Sequence, residues 1–363
     1  MREKFAKKLV TRGCNFGTKE LYYPQWDFSE RGGPDARAER LGGVNTTEWT
    51  HCPVLLEECL QGLRIRPDGV YVDGTLGRAG HARRIAERLT EGGRLIAIDQ
   101  DQAALDAAPD RFGELLGRVT LVRRNFRELP AVLDELGIAG VDGVLLDLGV
   151  SSPQLDDASR GFSYRQDAPL DMRMDQSAPL TAADVVNTYD YAALRDILSR
   201  YGEERCAPQI AAAIVRRREH APIRTTLELV EVIRSAMPAR ALRERQHPAK
   251  RSFQALRIAV NDELGAIAET MEAVIPRLNP LGRLCVITFH SLEDRIVKTA
   301  MADAARGCIC PPEFPVCVCG RSPQVRLLTR KPVTPSPEEL EHNPRARSAK
   351  LRVCEKCRSG ATT

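Results

Sequence analysis

Between residues 69 and 148 the chain alternates short apolar runs, most closing on an acid, with stretches whose apolar residues recur at helical spacing. Few folds accept that alternation, and the economical one is a parallel sheet with helices on both faces. Strands are predicted at 69–73, 94–99, 119–122 and 141–148, with helices over roughly 54–60, 81–89, 102–108 and 129–136. The alternation then stops. From about residue 151 to 247 only helical segments stand out, at 182–186, 191–199, 208–218 and 227–236, which reads as an all-helical insertion into an α/β domain. The sheet resumes after one long amphipathic stretch, 252–274, with a strand at 282–289, a helix at 292–305 and edge strands near Leu327 and Leu351. The expected organisation is a poorly ordered extension over 1–48 and a sheet domain in two parts, 49–150 and 248–353. The helical insertion at 151–247 separates those parts, and a tail over 354–363 follows.

A chain of 363 residues with 43% hydrophobic residues has enough apolar mass for a large core plus an inserted domain. No window approaches 18 uninterrupted apolar residues, and the basic residues at the start precede no apolar run, so a cytosolic protein with no membrane span or secretory signal is expected. The net charge of +4 is small, but from Gly320 onward ten Lys or Arg face four Glu. The C-terminal end is therefore the basic one. Only nine of the 53 cations are Lys, which suits phosphate recognition by Arg and equally suits a genome rich in Arg codons.

The first strand runs into Asp73-Gly-Thr-Leu-Gly-Arg-Ala-Gly-His81. Glycines here let the backbone turn sharply and approach a ligand beyond the carboxyl ends of the strands. The spacing is neither G-x-G-x-x-G nor a P-loop, which disfavours phosphate cradling. The second strand ends in Asp99, 19 residues beyond Gly80, where a carboxylate can accept hydrogen bonds from both hydroxyls of a ribose. A solvated strand-end acid is the competing reading. A glycine turn without phosphate features, followed by a ribose-binding acid, fits S-adenosylmethionine. Phe126, beyond the third strand, either covers an adenine face or belongs to the core, and Asp147 ends the fourth strand beside the place for a reactive methyl.

Further on come Asp147-Leu-Gly-Val-Ser-Ser-Pro-Gln-Leu-Asp156, Arg160-Gly-Phe-Ser-Tyr-Arg165 and Pro169-Leu-Asp-Met-Arg-Met-Asp175, then Tyr201-Gly-Glu-Glu-Arg205 and His247-Pro-Ala-Lys-Arg-Ser-Phe-Gln-Ala-Leu-Arg257. Thr288-Phe-His-Ser-Leu-Glu-Asp-Arg295 and Asn343-Pro-Arg-Ala-Arg-Ser-Ala-Lys-Leu-Arg352 complete the series. In these blocks the chain resembles the RsmH (MraW) family of S-adenosylmethionine-dependent methyltransferases, over about residues 50–353. The resemblance implies a class I, Rossmann-like methyltransferase sheet with a helical insertion after the fourth strand. It implies action on N4 of a cytidine in the decoding region of 16S rRNA, nucleotide 1402 in the usual rRNA numbering, within the small ribosomal subunit. It also implies cofactor contacts at Ala79, Gly80, His81, Asp99, Phe126, Asp147 and Gln154, of which His81 and Gln154 rest on the resemblance alone.

Methyl transfer to an exocyclic amine needs in-line alignment and an acceptor for the amino hydrogens. Many amino methyltransferases place Asn or Asp before Pro-Pro and an aromatic; this chain has Asp147-Leu-Gly-Val. The candidates are the Asp147 carboxylate as the catalytic group, a main-chain carbonyl near Leu148 or Gly149, and Ser151 or Ser152. His290 and Ser291 are placed on the substrate side, and Lys250, Arg251, Arg257, Arg345, Arg347 and Arg352 are the candidate phosphate contacts. Cys308, Cys310, Cys317 and Cys319 read either as four thiolates for one zinc or as reduced surface thiols, with Cys354 and Cys357 as an alternative pair. Rival readings are the same fold acting on another base or on protein, and a nucleic-acid-binding assembly factor that has lost catalysis.

Overall fold

The computed structural model describes residues 53–311 and 314–358, so the extension expected over 1–48 lies outside the described residues. Seven strands form one sheet: β1 (Val70–Asp73), β2 (Arg94–Asp99), β3 (Val119–Arg123), β4 (Val141–Asp147), β5 (Leu278–Thr288), β6 (Val325–Leu327) and β7 (Lys350–Lys356). Their spatial order is β3-β2-β1-β4-β5-β7-β6. The first five run parallel, and β7 lies antiparallel to both β5 and β6. Each strand expected from the apolar runs is present, and the Rossmann-like methyltransferase sheet implied by the resemblance is the one observed. β7 continues to Lys356, past residue 353 where the sequence reading ends the sheet.

The central strands are near-continuous apolar runs because both faces are covered. Successive residues point to opposite faces. Tyr71 and Leu145 enter one apolar cluster with the helices Leu56–Leu63 and Gly80–Ala86. Val72 and Leu146 enter another with Leu129–Glu135, Glu263–Arg277 and Ser291–Ala305. A third cluster, from Phe162 to Leu256, contains no strand residue. It lies among the helices Ala182–Thr188, Tyr191–Gly202, Ala207–His220, Thr226–Ala236 and Lys250–Asn261, which the chain forms between β4 and β5. Three of these helices start where the pattern suggests, because the side chains of Thr181, Asp190 and Thr225 accept the first free main-chain N–H groups.

The amphipathic stretch 252–274, read as one element, is two. Asp262 adopts a left-handed conformation, φ 47°, between Lys250–Asn261 and Glu263–Arg277. Arg127 clamps the break by donating to both the Asp262 carbonyl and its carboxylate, at 3.1 and 2.7 Å. Asn261 explains why the helix stops there. Its side chain donates to the Met172 carbonyl at 2.8 Å and accepts the Met174 N–H at 2.7 Å, locking the helical layer to the loop after β4. Short polar residues tolerate such a turn better than others. No helix among the described residues is long and apolar enough to cross a membrane.

Leu146 is fully buried between the sheet and its helices, whereas Leu227 is 36% exposed at a helix start. Leu146→Ala is expected to lower unfolding free energy by about 2–5 kcal/mol, and Leu227→Ala by less than about 0.5 kcal/mol. Urea denaturation of the two variants checks the contrast.

Candidate active site at the strand tips

Strand order reverses between β1 and β4, so their carboxyl ends open a crevice of the kind that binds ligands in doubly wound sheets. Three acids stand at the strand tips: Asp73, Asp99 and Asp147. The turn after β1 shapes the floor. Gly77 has φ 49°, and its N–H donates to Asp99 Oδ2 at 2.8 Å. Ala79, 1% exposed, is also left-handed, a conformation that costs a non-glycine residue about 1–2 kcal/mol. At Gly80 a Cβ would lie 2.4 Å from the Pro53 ring, so no larger residue fits.

The acids are wired to the main chain. Asp99 accepts from Gly77 through one oxygen and from the Asp101 N–H, at 2.8 Å, through the other. The Asp147 N–H donates to the Thr75 hydroxyl at 2.7 Å, and Asp73 accepts from the Thr75 N–H at 3.0 Å. Burial therefore dominates their protonation. Desolvation pushes the Asp73 carboxyl up to about 7, and desolvation with the nearby Asp73 and Glu293 pushes Asp147 up to about 8. Asp99 is raised by burial as well, against the pull of its main-chain donors. Among the described residues none of the three pairs with a Lys or Arg, and Asp147 Oδ1 is sealed from solvent with no hydrogen-bond partner.

His81 lies beside Asp147, its Nδ1 3.7 Å from the carboxylate, while Nε2 bonds the Val54 carbonyl at 2.9 Å. Desolvation lowers its pKa to about 4, so the ring is neutral, and the carbonyl fixes the Nε2–H tautomer. Phe126 begins the turn after β3, where Asn125 caps it, and its Cβ would lie 3.3 Å from a Cβ placed on Gly74. It thus closes over the glycine turn while its ring joins the edge of the core. Gln154 lies in the short helix Ser152–Asp156 after β4. Its amide donates to Asp101 Oδ2 at 2.9 Å and its oxygen accepts the Ser151 N–H at 3.0 Å. Arg160 donates to the same Asp101 oxygen at 2.7 Å and to the carbonyls of Arg173 and Met174. This buried Asp101–Gln154–Arg160 network braces the loop after β4 against the loop after β2.

The profile of the MraW methylase family matches residues 48–357. The chain belongs to the MraW methylase family. The ribosomal RNA small subunit methyltransferase H of Brevibacillus brevis is 58% identical over 313 residues, 86% of this chain and 100% of that protein. The enzyme of the same name from Heliobacterium modesticaldum is 56% identical over 309 residues, covering 85% of this chain and 99% of that protein.

In this MraW methylase chain, a cleft of about 390 Å³ gathers Lys250, Arg251, His290 and Ser291 with Arg205 and Gln254. Lys250 is exposed, and neither it nor Arg251 makes an ion pair among the described residues. His290 caps the helix Ser291–Ala305 and faces Glu293, 3.1 Å away, while Ser291 donates to Glu203 at 2.8 Å. Glu293 is fully buried; burial alone would raise its pKa, but His290, Arg257 and the Phe289 N–H hold it below its usual value. Arg345 pairs with Asp156 at 2.5 Å and Arg347 is exposed; neither lines the cleft.

Two candidate phosphate contacts are corrected. Arg257 is half-buried and held in a two-pronged pair with Glu263, at 2.7 and 2.9 Å, and the buried Arg352 pairs with Asp294 at 2.6 Å, so both guanidinium groups are already engaged by carboxylates. The Cys354/Cys357 alternative is closed as well. Cys354 is fully buried in β7, where burial pushes its thiol up to about 12. The sulfurs of Cys308, Cys310, Cys317 and Cys319, by contrast, all lie within 4.8 Å of one another.

Asp73 and Asp147 keep protons in the folded chain that the unfolded chain releases near pH 3.8. The stability from holding these groups neutral is present below that pH and is lost as pH rises through about 7 and about 8. Melting temperatures of the protein alone are expected to fall from about pH 6 to about pH 9. Asp147→Asn should flatten the upper part of that fall; an unchanged slope in the variant contradicts the assignment.

Proposed function

We propose that this chain is a cytoplasmic methyltransferase that moves a methyl group from S-adenosylmethionine to N4 of a cytidine in 16S rRNA of the small ribosomal subunit, at the decoding-region position given above. One observation carries the reading: three strand-tip carboxyls surround the crevice, and among the described residues no Lys or Arg pairs with them. Such a site repels phosphates and favours a cation that brings hydrogen-bond donors. A nucleoside bearing a sulfonium is that ligand, and the unpartnered Asp147 Oδ1 is where donors or positive charge would be received. The names of the relatives add support for the RNA substrate.

When bound, S-adenosylmethionine supplies a methyl group already activated toward nucleophiles. The residues of the chain do the rest. Asp99, held by Gly77 and Asp101, offers its remaining lone pairs to the ribose hydroxyls. Ala79, Gly80 and His81 form the wall beside Asp147, with His81 neutral so that no second cation competes for the carboxylate. Phe126 covers the base. Gln154 acts as a positioning residue through Asp101. A cation in the crevice favours the ionised form of Asp147, which then accepts an amino hydrogen of the cytosine. Asp147 would take the surplus proton of the methylated amine, and its raised pKa suits it as an acceptor near neutral pH. Leu148 and Gly149 carbonyls remain as secondary contacts. Ser151 is engaged as a helix cap, which leaves it less suited to the task.

The helices of residues 151–247 are proposed as an insertion domain that, with the helix Lys250–Asn261 packed on it, forms the RNA-facing wall. Lys250 and Arg251 would contact phosphates, His290 and Ser291 would border the target base, and Arg345 and Arg347 would extend the basic surface. The base must leave its stack to reach the crevice.

Incubation with methyl-labelled S-adenosylmethionine and small subunits lacking the modification is expected to place label in N4-methylcytidine, read by nucleoside mass spectrometry. Asp147→Asn should lower kcat by about 10²–10⁴-fold; label in another nucleoside overturns the substrate assignment. In filter binding, Lys250→Ala should weaken RNA affinity and reduce the salt slope by about one, with cofactor affinity in calorimetry unchanged.

A further inference from the structure

Residues 306–323 link the helix Ser291–Ala305 to β6, and nothing in the proposed reaction uses them. The base of this finger is pinned: the Gln324 N–H donates to the Ala304 carbonyl at 2.8 Å, and the Gln324 carbonyl accepts the Cys357 N–H at 2.9 Å. Beyond the base, apolar burial gives no support. No described residue of the finger is buried, and Ile309, Phe314, Val316 and Val318 are 50%, 50%, 71% and 74% exposed. A segment of this length without a core needs a different staple to hold one shape.

We propose that Cys308, Cys310, Cys317 and Cys319 bind one zinc ion that serves as that staple. The sulfurs of Cys317 and Cys319 are 3.5 Å apart, those of Cys308 and Cys319 3.7 Å, and those of Cys310 and Cys317 4.0 Å. Four thiolates at a Zn–S distance of about 2.3 Å form a tetrahedron whose edge is about 3.8 Å. A disulfide needs an S–S distance of about 2.05 Å, and all four cysteines are free. Main-chain donors are aimed at the sulfurs: the Cys310 N–H at Cys308, the Val318 N–H at Cys310 and the Ile309 N–H at Cys319, at 3.4, 3.3 and 3.5 Å. Such outer bonds orient metal ligands and offset thiolate charge, which no nearby core does here. Gly320, with φ 62°, turns the chain directly after the last of the four.

The ligand set selects the metal. Sulfur donors in a compact tetrahedron suit zinc, whereas magnesium and calcium take oxygen ligands. Four protein ligands leave no open position, so the ion is structural and performs no chemistry on a substrate. Binding converts four thiols to thiolates and releases up to four protons, so occupancy falls in acid. No residue of the crevice belongs to the set, and loss of the ion should leave cofactor affinity intact.

The full-length protein, purified without chelator or a metal-affinity tag, is analysed for bound metal by elemental mass spectrometry. About one zinc per chain is expected in the wild type and in Cys357→Ser, and less than about a tenth in the double variant Cys308→Ser/Cys317→Ser. Replacement by cobalt should produce the thiolate charge-transfer and tetrahedral d–d absorption bands, and chelation should expose 306–323 to protease before the rest of the chain. Calorimetric S-adenosylmethionine binding in the double variant confirms that it is folded; should that variant fail to fold, the cobalt spectrum of the wild type decides alone. A metal-free wild type, iron in place of zinc, disulfides among the four cysteines, or full zinc retention in the double variant overturns the proposal.

Discussion

The structure depends on one electrostatic arrangement: carboxyl groups drawn in at the ends of adjacent parallel strands and, among the described residues, without a Lys or Arg partner. Burying an acid without a partner is unfavourable, and the chain tolerates it by keeping Asp73 and Asp147 protonated and by giving Asp99 two main-chain donors. The rigidity around them follows from that constraint. The Asp147 N–H, the Thr75 hydroxyl and Asp73 join the tips of β1 and β4, and the buried Arg160 holds the two loops that border the crevice.

The division of labour between the two layers has a similar basis. The sheet holds Asp73, Asp99 and Asp147 on strand ends, where the ladder fixes their main chain. The helical layer has its own apolar cluster and carries the exposed cations of the second cleft. The layers meet through specific polar contacts such as Asn261 with the main chain at 172 and 174, together with packing between helices.

Much of this was legible in the chain itself. Parallel strands are short apolar runs, which mark β1 to β5, and the acids that close β1, β2 and β4 mark the strand tips beside the glycine turn. The break at Asp262 was not legible, because both helices keep an apolar face and the hydrogen bonds that end the first come from residues 127 and 172–174, far away in sequence. Arg257 and Arg352 read as surface cations for the same reason: nothing in one dimension marks Glu263 and Asp294 as their ion-pair partners. Asp101 and Arg160 were missed as a pair, 59 residues apart. Asp73 carries the same sign in the chain as Asp99 and Asp147, an acid that closes an apolar run.

The helix Lys250–Asn261 joins the two clefts mechanically. Its first residues line the basic cleft, and its last is bolted to the loop that Arg160 also grips. Twelve residues make a rod about 18 Å long, and a rod of that length scarcely bends. A push on the cationic end therefore arrives at residues 172–174, in the loop after β4 that Arg160 ties to Asp101.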